Sequence, residues 1–388
     1  MKALKDKNTE PKKAANLWLP IAIVVVLTIT LMIQVTQVSM SNIVAHTDSV
    51  SFATAKPTIK IAMISGYVPS AQKTDAPRVT ELDELINKAC YAHLWGYDFI
   101  FNTTYGFDES LADRHWLKYG TWSRVPHILA RIKEYDWILY SDTDYVINDM
   151  TRSLESFVKE FELYGHHDVH IFVPKDNEIT NIYSFSAFAV MIRNSPFGLR
   201  VMEYWMELAR GLCPKGNFES DPDTYDWQDS DQPGLWYALI KTHKEFFPMA
   251  DANNTDDFPQ CNSSTGLMDA HWAFGAYIDV YFRRIQAVVG SNGADLSKVP
   301  KGQPIIWSLE SSDYRTGLGF QAVWGNPKPH AAELAEHSFA QHVKSVDLWT
   351  TKMKEELQVC KDVHGCYAEY HSDDSKLHIG CNSTKFYP

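Results

Sequence analysis

With 388 residues, the chain exceeds one average domain, and 45% hydrophobic residues are ample for a buried core. A formal net charge of −12 excludes nucleic acid as the expected partner, because phosphate binding needs clustered Lys and Arg to displace counterions. The same acidity suits a site that holds a metal ion.

Residues 17–35 are nineteen uncharged, mostly apolar residues. At about 1.5 Å of rise per residue they span a hydrocarbon core of roughly 30 Å as a helix. Lys2, Lys5, Lys7, Lys12 and Lys13 precede the run against only Asp6 and Glu10, which keeps residues 1–16 cytoplasmic and puts the rest of the chain on the far side. A cleaved signal peptide is the competing reading, but its apolar region is ordinarily shorter and ends in a small-x-small site, which is missing here. All six cysteines (Cys90, Cys213, Cys261, Cys360, Cys366 and Cys381) lie beyond the span, as do four N-x-[ST] sequons at Asn102, Asn253, Asn262 and Asn382. Disulfides and N-glycans both belong to the secretory pathway. The cysteines make no Cys-x-x-Cys pair, which argues against zinc.

Residues 36–57 have no periodic pattern and read as a stem. From residue 58 strands and helices alternate. The apolar run 59–64 ends at Ser65-Gly66 and predicts a first strand. Leu82, Leu85, Ile86, Ala89 and His93 form the stripe of a helix over 81–94, and 97–101 reads as a second strand. A further stripe, Val125, Leu129 and Ile132, predicts a helix over 122–132 that leads into a strand at 136–140. Strands joined by helices of this length predict an α/β fold with a mostly parallel, Rossmann-type sheet.

Ligands of open α/β sheets bind beyond the carboxyl ends of the strands, and there the chain reads Ser141-Asp142-Thr143-Asp144. Two carboxylates one residue apart supply the hard oxygen donors that suit Mg²⁺ or Mn²⁺, and such an ion lets a diphosphate share a site with acids. Two other Asp-x-Asp pairs occur, at Asp221/Asp223 and Asp229/Asp231, but only Asp142/Asp144 follows a predicted buried strand. Aspartates that simply cap a turn are the alternative. Downstream, an apolar strand within 184–192 precedes a helix to residue 210, with Ser195 as N-cap, Pro196 at the first helical position, and Val201, Tyr204, Trp205 and Leu208 facing inward.

The order and spacing of Asn87-Lys88, Tyr91 and Trp95-Gly96-Tyr97, then Trp122-Ser123-Arg124-Val125-Pro126, then the run from Tyr135 to Asp144, resemble the galactosyl, xylosyl and mannosyl transferases of glycosyltransferase family 34. Where that family has Trp-x-Asp-x-Asp-Ala, this chain has Tyr140-Ser141-Asp142-Thr143-Asp144-Tyr145. The segment from Ser184 to Asn194 resembles the family's next strand, with Ser186 and Phe188 in place of its usual Asn and Gly. The resemblance implies a GT-A-like catalytic domain over 58–349 in a single-pass type II Golgi membrane protein, followed by a cysteine-containing tail over 350–388. It implies Mn²⁺ or Mg²⁺ held by Asp142, Asp144 and a late histidine, His342, with Lys344 able to touch the diphosphate. The family's Asp-Gln at a helix start corresponds to Asp231 and Gln232, which the resemblance places near the anomeric carbon of the donor sugar. The expected reaction transfers a sugar from a nucleoside-diphosphate sugar to a hydroxyl of a glycan or glycoprotein, with retention. A catalytically inactive lumenal glycan-binding protein and a nucleotide-sugar hydrolase are the alternatives.

Overall fold

A computed structural model describes residues 59–66, 79–103, 106–107, 121–163, 169–173, 187–210, 231–246, 288–290, 305–308, 320–321, 339–343, 349–371 and 376–382. The expected membrane span 17–35 and stem 36–57 lie outside these residues. Among those described, no helix is long and apolar enough to cross a membrane.

The central sheet contains β1 (Ile61–Gly66), β2 (Asp98–Asn102), β3 (Trp137–Ser141), β5 (Val169–Val173), β6 (Ala189–Arg193), β7 (Val288–Gly290) and β8 (Ile305–Ser308), in the order β2-β1-β3-β6-β5-β8-β7. β1 pairs parallel with both β2 and β3, and β8 pairs parallel with β5 and β7, whereas β6 runs antiparallel to β3 and β5. The fold is therefore mixed α/β with a mostly parallel sheet, as the strand and helix alternation predicts. A small second sheet joins β4 (Tyr145–Ile147), β10 (Ala340–His342) and β9 (Phe320–Gln321).

Side chains alternate across each central strand, which gives the sheet two buried faces. Trp137 and Leu139 of β3 enter one core and Ile138 and Tyr140 the other. The first core is covered by α1 (Val79–Trp95) and α3 (Leu154–Leu163), the second by α2 (Arg124–Arg131), α4 (Pro196–Ala209) and α5 (Asp231–Phe246). α4 starts as its sequence dictates: Ser195 Oγ accepts from Gly198 N at 3.0 Å and Pro196 occupies the first turn. Its inward stripe, Val201, Tyr204, Trp205 and Leu208, is buried.

The C-terminal tail is bound to α1. α6 (Thr351–Asp362) is joined to α1 by a Cys90–Cys360 disulfide, and Lys361 Nζ lies 2.6 Å from Asp83 Oδ1. A second disulfide, Cys366–Cys381, closes the hairpin of β11 (Tyr367–His371) and β12 (Lys376–Gly380). Met353, Leu357, Cys360 and Cys366 share the core that contains Leu85 and Ile86 of α1. Cys213 and Cys261 lie outside the described residues.

Candidate active site

The candidate site forms where β3 ends. Ser141 is the last residue of β3, and the chain turns through Asp142, Thr143 and Asp144 into β4. Neighbouring strands fix this turn. Asp142 N donates to Phe188 O at 2.8 Å at the entry to β6, and Val343 N donates to Asp144 O at 2.8 Å just after β10. Ser65 Oγ of β1 donates to Ser141 O at 2.8 Å.

α1 holds the turn from below. Lys88 is fully buried and its ammonium donates to the carbonyl oxygens of Asp142 (3.0 Å), Thr143 (2.5 Å) and Tyr145 (2.8 Å). Three N–H groups thus meet three carbonyls of one turn, of which that of Asp142 also accepts from Tyr145 N at 3.2 Å. Burial lowers the Lys88 pKa to about 8, opposed by the charges of Glu84, Asp144 and Asp142. One residue earlier, Asn87 Nδ2 donates to Ile147 O at 2.9 Å and its Oδ1 accepts from Ile147 N at 2.8 Å, so the side chain pairs with β4 as an extra strand would.

Arg124, at the start of α2, connects the turn to the start of α5. Its Nη2 lies 2.9 Å from Asp142 Oδ1 and its Nε 2.8 Å from Asp231 Oδ2. The Nε–H points to Thr121 O, also at 2.8 Å, so the approach to Asp231 is a charge contact rather than a hydrogen bond. Nη1 donates to Ala187 O, and the guanidinium stands 5.5 Å from the centre of the Tyr140 ring. Burial opposes the charge of Arg124, but the carboxylates of Asp142 and Asp231 outweigh it and raise the pKa above its ordinary value.

Asp231 is 3% exposed, and Trp205 Nε1 donates to its carbonyl at 2.9 Å. Burial raises its carboxyl to about 7, against the pull of Arg124. Gln232 follows on the first turn of α5, half-buried, with Oε1 accepting from Ala187 N at 3.2 Å. The fold therefore brings Asp142, Asp231 and Gln232 together around Arg124 and residues 187–188, although 89 positions separate Asp142 from Asp231 (231 − 142). Asp231 is committed to Arg124 beneath the site, so Gln232 is the member of that pair with exposed surface.

His342 ends β10 and its backbone pairs with Tyr145, next to Asp144. Lys344 lies outside the described residues, as do Asp221, Asp223 and Asp229. Among the described residues, no three His, Cys, Asp or Glu side chains gather as a metal site. The donor chemistry of the turn still fits a hard divalent cation: Asp142 is 25% exposed, its contact with Arg124 is through Oδ1, and Asp144 is half-buried two residues on.

The sequence names Lys88 and Arg124 within motifs but assigns them no part in the site. The available signal was positional. Lys88 lies three residues after Leu85 on the apolar stripe of α1, where a charge has to find partners or leave the core.

No family model matches the chain, and no curated protein matches it. Among solved structures it is similar to a glycosyltransferase involved in glycosylation of the major capsid of PBCV-1, at 13% identity over 78% of this chain and 98% of that one, with a TM-score of 0.35. It is also similar to the glycosyltransferase GlyE of Streptococcus pneumoniae TIGR4, at 12% identity over 71% and 89%, TM-score 0.25. A third likeness is to A197 from STIV, at 10% identity over 37% and 68%, TM-score 0.21. Likenesses this distant identify no family, and the chemistry of the site rests on its own residues.

Proposed function

We propose that this chain is a metal-dependent glycosyltransferase that moves a sugar from a nucleoside-diphosphate sugar to a hydroxyl of a glycan or glycoprotein, with retention. The observation that carries the reading is the meeting of the acidic turn with the start of α5: Arg124 touches both Asp142 and Asp231, and Gln232 bonds to Ala187 beside them.

In this reading Asp142 and Asp144 hold Mn²⁺ or Mg²⁺, with His342 as third ligand and Lys344 against the diphosphate. The bound ion supplies charge neutralisation for the departing diphosphate. Lys88 keeps the turn in one conformation by satisfying its carbonyls, so the carboxylates are oriented before any ligand arrives. Gln232 presents its amide near the anomeric carbon, where an oxygen lone pair stabilises oxocarbenium character that develops only in the transition state. Asp231 acts through Arg124, whose charge it balances.

The Cys90–Cys360 and Cys366–Cys381 disulfides support an oxidising compartment. With the apolar stretch 17–35, they favour a type II Golgi membrane protein with a lumenal catalytic domain.

A donor screen tests the proposal. Detergent-purified full-length chain is incubated with Mn²⁺, a panel of UDP- and GDP-sugars and a mixed glycan acceptor, and free nucleoside diphosphate is measured. The expected result is metal-dependent release from one donor that accelerates with acceptor. Release indifferent to acceptor would instead mark a hydrolase, and no release with retained glycan binding would mark a lectin.

A further inference from the structure

Two buried cations serve the acidic turn in different ways. Lys88 spends all three N–H groups on main-chain carbonyls, so it shapes the backbone. Arg124 reaches a side chain: its Nη2 meets Asp142 Oδ1 at 2.9 Å, while Nε lies 2.8 Å from Asp231 and Nη1 binds Ala187 O. The residue is 4% exposed and held on every side, so it is fixed in place and cannot swing out toward a ligand.

Resting on the reading of the turn as a cation site, we propose that Arg124 is a positioning residue that fixes the orientation of Asp142 at the expense of cation affinity. One oxygen of Asp142 is given to the guanidinium, which leaves the other for an incoming ion and defines its direction. A unit positive charge within hydrogen-bonding distance of a ligand carboxylate also repels a divalent cation, and the buried setting weakens solvent screening. The same guanidinium contacts Asp231 at the start of α5, so the placement of Gln232 relative to the turn depends on it. Removing the charge therefore has two opposite consequences: the ion binds more tightly, and the reaction slows because Asp142 and the helix start lose their common reference.

A residue that mattered only for folding would lower both quantities together. The test measures Mn²⁺ affinity by titration followed by electron paramagnetic resonance, without donor or acceptor, on full-length wild type, Arg124→Gln and Arg124→Lys, with circular dichroism of each. Arg124→Gln is expected to bind Mn²⁺ at least about tenfold more tightly while nucleoside-diphosphate release falls. Arg124→Lys keeps the charge but loses the planar fork, so its Mn²⁺ affinity stays near wild type while turnover drops. Equal or weaker Mn²⁺ binding by Arg124→Gln beside a wild type that binds would overturn the positioning role alone. If Arg124→Gln does not fold, tighter binding by Arg124→Lys than by wild type would overturn it. Absence of Mn²⁺ binding in wild type would sink the cation-site reading and this inference with it.

Discussion

The ammonium of Lys88 lies 2.8 Å from the carbonyl oxygen of Tyr145, fully buried, and the same group reaches the carbonyls of Asp142 and Thr143. A charge is thus kept out of water to stiffen the one turn whose carboxylates face the proposed ligand. Replacing Lys88 with Met removes the ammonium's hydrogen bonds to all three carbonyls and is expected to destabilise the fold by about 3 kcal/mol or more. Urea denaturation checks this, with Lys88→Arg expected to lose less. A loss below about 0.5 kcal/mol for Lys88→Met would mean that the turn stands without its ammonium.

Asp231 gives a pH dependence whose sign is fixed. Its folded pKa is about 7, above the ordinary value of 3.8, because burial penalises the carboxylate. The native state therefore binds the proton more tightly than the unfolded chain. The resulting stabilisation is fully present below pH 3.8 and is lost as pH rises to about 7, by at most about 4 kcal/mol. Stability of wild type should fall relative to Asp231→Asn across that window. Parallel pH profiles for the two proteins would show that Asp231 does not titrate there.

The Cys90–Cys360 bridge spans a sequence separation of 270 residues and ties α6 to the helix that carries Asn87 and Lys88. Long loops lose the most chain entropy on closure, so a Cys90→Ala/Cys360→Ala double variant should lose about 2–5 kcal/mol. Denaturation of that variant against wild type, without reductant, measures the difference. Unchanged stability would assign the attachment of the tail to its non-covalent contacts, among them the packing of Met353 and Leu357 and the Lys361–Asp83 pair.

Much of the scaffold was legible in the sequence, because its signals are local. The run at β1, the stripe of α1 and the cap of α4 are each local signals; the helix and the cap form where expected, and β1 forms two residues further on, at Ile61–Gly66, taking in Ser65 and Gly66. The position of Asp142 after a buried strand was legible for the same reason. The reversal of β6 was not, since strand direction depends on the path of the chain between elements. Nor was the role of Arg124. Its partners Asp142, Ala187 and Asp231 are 18, 63 and 107 positions away (142 − 124, 187 − 124, 231 − 124), and no pattern along the chain encodes such contacts. The burial of Asp231 was likewise hidden, because a helix start is ordinarily exposed and this one is covered by Trp205 and Arg124.

The most direct test of the account is equilibrium binding of UDP and GDP to full-length chain with and without Mn²⁺, for wild type and for Asp142→Asn/Asp144→Asn. One of the two nucleotides is expected to bind wild type only with the metal, and the double variant, still folded by circular dichroism, to bind it at least about a hundredfold more weakly. Metal-independent binding, or equal affinity in the double variant, would contradict the account.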